Sequence, residues 1–580
     1  MHVRKKTRLI LPVLFCLFSM LIVACGGGNT GTQQTTNGNG PQDMAKDQIY
    51  VSPYVGSSDV KTLDPALTTD AGSGAMIQMM FTGLVEFDDD LHIKKTMAED
   101  YHLESDGLTW VFKLRPNLKF SNGDPLTSED VIWSIDRALD PQTKSTVAGA
   151  YMGLIKGADE RVEGKRDTLK DYSLFAPDPS TVKIVTAKKA AYFLQALTYP
   201  TSYTVNRKVV EKYGNRWTEH INEGAGSGPF TLTKWQHGVR IDFEPNQNYF
   251  GEKPLLKKVV RPFYKTSETA WKAYQSNQLM SSGVPAAYTE QAKGLPKNQY
   301  WQVPQLWIEY LTMNYLVKPF DNIKVRQGVW LAINRDQISH NINKDRTIPT
   351  IHFVPEGQPG YNENLTGPAG VKDTKGNPEL AKKLFDEGLK ESNMTRESLG
   401  TIHFTVSTAS AAGKQEVEAI QQMLQKTLDV TVQIDDVDYN KYLSLTNDTA
   451  GNPKGLQMWL HGWVADYPDP QDWLTLLFAD PTQNRWNYGV TPEQKANQEL
   501  MKKADQETDE TKRMQMYHEA EQQLANHAAW VPIDQVLASG VRKPCVKGIK
   551  DNAMGQTHPD SWSKIYISND STCANVSQYR

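Results

Sequence analysis

The amino-terminal segment limits where this chain of 580 residues can build a folded core. Four basic residues within the first eight positions precede an uncharged, mostly apolar run from Leu9 to Ala24. A basic start followed by such a run and small residues is typical of a cleaved export signal. The alternative is an uncleaved membrane anchor, but the run contains Pro12 and is shorter than the ~20 apolar residues that a span needs. The sequence therefore predicts an export signal over residues 1–24.

Cys25 stands directly after the small residue Ala24. This arrangement resembles the cleavage site of bacterial lipoproteins, although Ile22 and Val23 stand where Leu and a small residue are usual. The resemblance implies that Cys25 becomes the new amino terminus and carries lipid. The rest of the chain would then be anchored to the cell membrane and face the extracellular or periplasmic side.

A polar segment separates Cys25 from the first apolar residues of the remaining chain. Between Gly26 and Gln42 there is no hydrophobic side chain, so this stretch cannot bury a core. We expect residues 25–47 to form a flexible tether, whose ~20 residues reach on the order of 25 Å. The folded part is predicted to begin near Gln48.

Charge and length exclude several classes of protein. Removal of residues 1–24 would leave 59 Lys and Arg residues against 67 Asp and Glu residues, so the net charge would change from −4 to −8. No later segment is rich in Lys and Arg, which argues against a nucleic-acid partner. No second stretch approaches the length of a membrane span. The remaining residues, roughly 530, are enough for two to four domains.

The sequence contains four cysteines, and two of them are assigned to the amino-terminal segment. Cys16 would leave with the signal, and Cys25 would carry lipid. Cys545 and Cys573 remain. In an exported chain these two could form a disulfide near the carboxyl terminus, or they could stay as two free thiols.

Hydrophobic periodicity indicates a mixture of helices and strands. Trp110, Phe112 and Leu114 alternate, as do Leu118 and Phe120, which predicts two neighbouring strands.

Helical spacing appears in three later segments. A helix is predicted to begin at Thr127, which is followed by acidic residues and by apolar residues at helical spacing. Residues 402–434 show strand, helix and strand spacing in turn, which predicts a βαβ unit with parallel strands. Residues 493–528 have the spacing of one or two surface helices.

Motifs for catalysis are absent from the sequence. It has no His-Glu-x-x-His, no Cys-x-x-Cys, no Gly-x-Ser-x-Gly elbow and no phosphate-binding loop. The pair Asp469 and Asp472 could in principle serve a glycosidase or bind calcium, but flanking prolines stiffen the loop and no EF-hand glycine follows. We therefore expect no enzymatic activity, no cofactor and no metal site.

The most informative segment is residues 461–473, His-Gly-Trp-Val-Ala-Asp-Tyr-Pro-Asp-Pro-Gln-Asp-Trp. It resembles a segment of the extracellular solute-binding proteins of oligopeptide and dipeptide ABC transporters. Residues 112–131, 226–250 and 314–335 resemble three further segments of that family, in the same order. The resemblance runs from about Leu63 to Pro544, which is nearly the whole mature chain.

The resemblance implies an α/β fold of two lobes that close on a ligand, with mixed sheets, a discontinuous first lobe and an inserted subdomain. The implied segments are lobe I over residues 48–75, 206–305 and 532–580, the inserted subdomain over residues 76–205, and lobe II over residues 306–531.

The resemblance also implies which residues contact the ligand. Peptide-binding members hold an extended peptide between the lobes through backbone hydrogen bonds. Asp466 matches the acid that pairs with the peptide α-amino group, and Trp463 matches an aromatic residue beside the bound chain. Tyr467 would add to that wall, and Ala71 with its neighbours would offer backbone groups. The alternatives are a turn-capping role for Asp466 and core packing for Trp463.

The ligand class is open to other interpretations. Residues 532–536 stand where peptide-binding relatives often have tyrosines, and Trp307 and Tyr310 could stack on a sugar. The family also includes binders of oligosaccharides, opines and nickel chelates. We favour a monomer that captures oligopeptides and delivers them to the permease subunits and ATPases of an ABC importer. A peptide sensor or chaperone on the same fold is the alternative role.

Overall fold

The computed structural model describes residues 41, 43–408, 411–481, 483–570 and 573–580. The predicted signal, Cys25 and most of the predicted tether lie outside the described residues. Within the described part of the chain, no helix has the length and apolar character needed to cross a membrane.

The strands are, in chain order, β1 (Ile49–Val51), β2 (Tyr54–Val55), β3 (Val85–Phe87), β4 (Ile93–Lys95), β5 (Ala98–Leu103), β6 (Thr109–Leu114), β7 (Leu174–Asp178), β8 (Thr181–Val185), β9 (Phe230–Gln236), β10 (Arg240–Pro245), β11 (Lys258–Tyr264), β12 (Ser281–Gly283), β13 (Tyr300–Met313), β14 (Thr347–Pro349), β15 (Thr401–Val406), β16 (Thr431–Asp436), β17 (Met458–Val464), β18 (Val531–Arg542), β19 (Val546–Lys547) and β20 (Tyr566–Ile567).

The α-helices are α1 (Ala71–Met80), α2 (Ser128–Leu139), α3 (Ala148–Met152), α4 (Ala158–Val162), α5 (Phe193–Ala196), α6 (Arg207–Tyr213), α7 (Ser267–Gln275), α8 (Thr289–Lys293), α9 (Ile323–Ala332), α10 (Pro378–Glu391), α11 (Arg396–Leu399), α12 (Ala411–Leu428), α13 (Tyr439–Asn447), α14 (Thr475–Phe478), α15 (Pro492–Ala504) and α16 (Glu510–Asn526).

The first sheet has the strand order β1-β11-β10-β9, with β2 also paired to β11. Strands β1 and β2 run parallel to β11, and the others are antiparallel. The core beside this sheet is built from residues 49–81, 203–292 and 541–579. Helix α1 from Met76 onward packs in this core rather than in that of the inserted segment.

The inserted segment carries an antiparallel sheet of order β5-β6-β8-β7. Its helix α2 begins as predicted: Thr127 is the N-cap, and the Asp130 carboxylate accepts a 2.8 Å hydrogen bond from the Thr127 backbone N–H. The strand predicted at Leu118 and Phe120 does not form. These residues lie in a turn region with one isolated bridge at Lys119, because the Asn-Gly-Asp turn at residues 122–124 reverses the chain at once.

The largest sheet has the order β12-β18-β13-β17-β15-β16, with β14 on β18. Strands β15 and β16 are parallel and are joined by α12, so the predicted βαβ unit is confirmed. The polar segment after residue 492 forms two helices, α15 and α16, as the periodicity indicated. Together these elements give the two-lobed α/β fold, with β13 and β18 as the long strands that pass between the lobes.

The structure contains a disulfide, which is one of the two states that the sequence allowed for the carboxyl-terminal cysteines. Cys545 and Cys573 are bonded across 28 residues, with Cα atoms 5.4 Å apart. Cys545 is completely buried in the core of the first sheet. The bond therefore joins the carboxyl-terminal segment covalently to that core.

Three acidic side chains meet beside the large sheet. Glu309 on β13 lies opposite Asp534 on β18, and Glu416 reaches them from α12. The Asn343 side-chain amide donates to Glu416 at 3.2 Å and to Asp534 at 3.1 Å. One oxygen each of Glu416 and Asp534 is buried and has no partner in the described part of the chain. Burial, followed by the neighbouring carboxyls, raises the pKa of Asp534 well above its usual value, and burial raises the pKa of Glu309 to about 8.

We expect the cluster of Glu309, Glu416 and Asp534 to contribute less to thermal stability as the pH rises from about 5 to above 8. A carboxyl whose pKa is raised by folding stabilises the native state while protonated, and this contribution is lost as the pH passes the raised pKa, about 8 for Glu309. Relative to the native protein, Asp534→Asn should therefore lose less Tm with rising pH, whereas Glu418→Gln, on an exposed side chain of the same helix α12, should match the native protein. An Asp534→Asn protein whose Tm depends on pH as that of the native protein does would contradict the prediction.

Candidate functional site

The acidic loop after β17 is held in place by a buried carboxylate. Asp472 Oδ2 accepts hydrogen bonds from the indole Nε1 of Trp463 and from the backbone N–H of Asp466, each at 3.1 Å. Asp472 ends a short 3₁₀ turn that begins at Pro470. Burial, together with the nearby charge of Asp466, raises the pKa of Asp472 well above its usual value. Asp472 thereby fixes the backbone that carries Asp466.

Asp469 has a second structural role in the same loop. Its carboxylate caps the 3₁₀ turn by accepting from the Gln471 N–H at 2.9 Å, and it forms a fully buried ion pair with Arg513 of α16. Asp469 and Asp472 Oδ2 are thus bound to protein partners, while Asp472 Oδ1 is buried without a partner among the described residues. No group of three or more His, Cys, Asp and Glu side chains in the described ranges is arranged to hold a metal ion.

A cavity of about 380 Å³ lies between the lobes and reaches the loop. It is lined by the start of α1, by parts of the inserted segment, by β13 and the end of β17, and by the carboxyl-terminal segment. The lining residues include Asp70, Ala71, Gln78, Glu86, Tyr199, Gln305, Leu306, Trp307, Val464, Ala465, Asp466, Gln556 and His558.

Asp466 is the acid of lobe II at this cavity. The hydroxyl of Tyr151, from α3, lies close enough to the Asp466 carboxyl to lower the pKa of that carboxyl. The Tyr151 ring also stacks on Tyr199, with ring centroids 3.5 Å apart. Burial raises the pKa of Asp466 to about 6, and the Tyr151 hydroxyl opposes that rise. The Asp466 carboxyl lines the cavity, where it can pair with a cation.

Asp70 and Ala71 provide the lobe I side of the cavity. Asp70 is the N-cap of α1: its Oδ1 accepts from the Ser73 N–H at 2.8 Å, while its Oδ2 is buried without a partner among the described residues. Ala71 is the first residue of α1 and lines the cavity. The charges of Asp466 and Asp70 both contribute to raising the pKa of Tyr199, after burial as the main cause. The two carboxylates therefore act on one region of the cavity.

The structure does not bring Trp463 and Tyr467 into the cavity lining. Trp463 is half-buried against the lobe II core. Tyr467 is buried in the core of the inserted segment, where its ring stacks on Tyr192 at 6.1 Å and its hydroxyl bonds the Gln471 side chain. These two aromatic residues secure the loop on either side of Asp466.

Trp307 does line the cavity, as do Phe87, Tyr199 and Tyr203. It pairs with Val464 in the β13–β17 ladder, and its indole Nε1 is buried without a hydrogen-bond partner in the described chain. Gly462 permits this position, because a Cβ there would lie 2.8 Å from Nε1. Tyr310, which the sequence suggested together with Trp307, lies in the core, with its ring centroid 3.5 Å from that of Trp530.

The cavity lining also carries polar groups whose pKa values are shifted by burial. Burial raises the pKa of Glu86 well above its usual value and lowers the pKa of His558 to about 4. Glu86 Oε1, His558 Nε2 and Gln78 Oε1 are each buried without a partner among the described residues. The cavity thus combines the carboxyl of Asp466 with polar groups that are free to bind a ligand.

Comparison with known proteins gives consistent matches. The profile described as "Bacterial extracellular solute-binding proteins, family 5 Middle" matches residues 92–485. The oligopeptide-binding protein OppA of Bacillus subtilis is 28% identical over 559 residues, covering 95% of this chain and 98% of that protein. The dipeptide-binding protein DppE of the same organism is 28% identical over 532 residues, covering 91% and 94%.

A solved structure shares the fold. Haemophilus influenzae OppA, in complex with the peptide RPPGFSPFR, superposes with a TM-score of 0.69 at 22% identity, covering 91% of this chain and all of that one. At this identity, the likeness concerns the fold alone.

Removal of the Tyr151 hydroxyl should raise the pKa of Asp466 above about 6, because the carboxyl loses the neighbouring hydroxyl that lowers its pKa. The variant is Tyr151→Phe, and the measurement is a carboxyl carbon NMR titration of protein labelled at aspartate. Tyr192→Phe is the control, since Tyr192 stacks on Tyr467. An Asp466 titration that is the same in the native protein and in Tyr151→Phe would contradict the effect assigned to the Tyr151 hydroxyl.

Proposed function

The chain belongs to family 5 of the bacterial extracellular solute-binding proteins, and we propose that it captures oligopeptides in the cavity between its lobes and delivers them to an ABC importer. The observation that carries this proposal is the carboxyl of Asp466, which lines the cavity between the lobes on a loop whose backbone is held by Asp472. The names of its relatives, oligopeptide-binding protein and dipeptide-binding protein, support the choice of peptide.

The α-ammonium group of the peptide would pair with Asp466. A cation taken out of water into a closed cleft needs a charged partner, because an uncompensated buried charge costs several kcal/mol. Asp466 offers a carboxylate that is already oriented by the Asp472 bond to its backbone and by the Tyr151 hydroxyl. This position would also exclude ligands whose amino terminus is blocked.

The remainder of the ligand would lie along β13. The unpaired Nε1 of Trp307 can donate to a peptide carbonyl, and the first turn of α1 at Ala71 presents backbone N–H groups. Trp463 and Tyr467 would support the loop around Asp466 rather than contact the peptide. Backbone contacts of this type accept many sequences.

The amino-terminal segment supports the location that we propose, and the family supports the transporter partners. Cys25 would carry lipid, residues 25–47 would serve as a tether, and the folded part would work as a monomer outside the cytoplasmic membrane. The permease subunits and their ATPases would receive the ligand. The domains would be the segments assigned from the sequence, with α1 extending lobe I to Met80.

Asp466→Ala should weaken binding of peptides with a free amino terminus by ~3–5 kcal/mol, a few hundredfold to a few thousandfold in Kd, because the ammonium would be buried without a partner. Isothermal calorimetry with a peptide and its amino-acetylated form measures this. Acetylation should weaken binding strongly in the native protein and little in Asp466→Ala, since both changes remove one interaction.

The matched control for that test is Asp70→Asn, which alters the other carboxylate of the cavity and keeps a side chain able to cap α1. We expect it to retain the preference for a free amino terminus. Equal sensitivity to acetylation in native protein and Asp466→Ala would show that Asp466 is only a turn residue.

Cys25→Ser should move the protein from the membrane fraction to the soluble fraction without changing its Tm, because the predicted tether carries no apolar side chain that could join the core. Fractionation and thermal unfolding measure the two quantities. A Cys25→Ser protein that stays in the membrane fraction would instead favour the uncleaved anchor.

A further inference from the structure

A second cavity, of about 330 Å³, lies at the junction of the first sheet with the long strands. Its lining includes Ser52 after β1, Arg261 on β11, Ser281 on β12 and Arg542 at the end of β18. Parallel strands β1 and β11 point their carboxyl ends toward this side of the sheet, the usual position of ligand sites in such sheets.

Arg261 lacks the counter-ion that a buried guanidinium needs. Its Nη1 donates to Ser52 Oγ at 3.1 Å, its Nε is buried without a partner, and no carboxylate of the described residues forms an ion pair with it. Burial lowers the pKa of Arg261. A charge in this position destabilises the empty protein.

The groups around Arg261 add to this positive character. Arg542 is paired with Asp551 through both terminal nitrogens, at 3.2 and 2.6 Å, yet its Nε is also buried and unpaired. The cavity lining contains three cationic side chains, of Arg261, Arg542 and Lys550, and the one carboxylate of Asp551. Lys550 is paired with Asp90, so Arg261 is the cation of this lining that has no carboxylate partner among the described residues.

Hydroxyl groups complete the site. Ser281 Oγ donates to Ser52 Oγ at 3.0 Å, and the Tyr50 hydroxyl lies 3.0 Å from Ser281 Oγ. Hydroxyls linked in this way can reorient to donate to an anion. Two unpaired guanidinium N–H groups and a chain of hydroxyls therefore surround a cavity that holds no compensating negative charge near Arg261.

This cavity adjoins the one that contains Asp466, because Ala75, Gln305 and Gln556 line both cavities. A ligand that begins at the Asp466 carboxyl and extends past these three residues would approach Arg261. The two adjoining cavities offer a carboxyl and a guanidinium, which match the two termini of a peptide.

We propose that Arg261 and Arg542 form an anion subsite that binds a carboxylate of the peptide ligand. A guanidinium binds a carboxylate through parallel N–H groups with well-defined geometry. The carboxylate can be that of the carboxyl terminus or of an acidic side chain. The inference rests on the proposed function, because it assigns the second charged contact of the same ligand.

Alanine peptides from trialanine to heptaalanine, each with a free and an amidated carboxyl terminus and a free amino terminus, provide the test by calorimetry. At the lengths that reach Arg261, amidation should weaken binding to the native protein by about tenfold to a hundredfold, the value of a charge-assisted hydrogen bond. Arg261→Gln should bind both forms with equal affinity.

Two further measurements show which carboxylate of the peptide binds and whether the loss of any guanidinium from this sheet has the same effect. If the subsite binds the carboxylate of a side chain, amidated peptides with one glutamate should bind the native protein more tightly than amidated alanine peptides. Arg240→Gln removes a guanidinium from the same sheet, where it pairs with Asp242 outside the cavity, and should keep the discrimination. The ligand-free Arg261→Gln protein should melt no lower than the native protein, because it loses an unpaired buried charge.

Different results would contradict the anion subsite and the proposed function. Free-carboxylate, amidated and glutamate-containing peptides that bind native protein and Arg261→Gln alike would overturn the subsite and leave peptide capture standing. A lower Tm of ligand-free Arg261→Gln, with unchanged discrimination, would make Arg261 a structural residue. Failure of the native protein to bind any peptide with a free amino terminus would overturn the proposed function, and the subsite with it.

Discussion

The antiparallel ladder between β13 and β18 determines where the lobes can enclose a ligand. It runs from Tyr300 opposite Val541 to Pro304 opposite Leu537, and resumes at Ile308 opposite Gln535. The interruption releases residues 305–307 from the ladder, and all three line the interlobe cavity. Their backbone groups find other partners: Leu306 N–H donates to Ala553 and its carbonyl accepts from Ala465. A prolonged regular ladder would have left no room at this position.

The same interruption explains why the functional loop is so firmly placed. The Leu306 carbonyl accepts from the Ala465 N–H at 2.8 Å, one residue before Asp466. Asp472 then fixes the next N–H, that of Asp466 itself. Consecutive backbone groups are thus bound to the long strand and to a buried carboxylate. Such preorganisation would lower the entropic cost of binding the proposed ammonium group at Asp466.

Local patterns predicted the regular parts of the fold well. The helix at Thr127 and the βαβ unit of residues 402–434 depend on capping and periodicity, which are properties of neighbouring residues. The strand expected at Leu118 and Phe120 is wrong, because the turn at residues 122–124 leaves no length for a ladder.

The site was less accessible from the sequence than the fold. The family resemblance indicated Asp466 and Ala71, and the structure places both at the cavity. It gave no sign of Tyr151, whose hydroxyl meets Asp466 from a short helix some 300 residues earlier in the chain. Trp463 and Trp307 are both tryptophans beside the same ladder, and only side-chain direction decides that Trp307 lines the cavity. The direction of a side chain depends on tertiary packing, which the local sequence pattern does not specify.

The Cys545–Cys573 bond has a consequence for how the protein is produced. Cys545 lies three residues beyond the end of β18, so the bond holds the segment that continues from Arg542. In a reducing cytoplasm the two thiols would stay unjoined, and only contacts such as the 2.7 Å hydrogen bond from Ser568 N–H to the Cys545 carbonyl would retain that segment. Protein purified from such a host should therefore be oxidised, and its free thiols counted, before any ligand is measured.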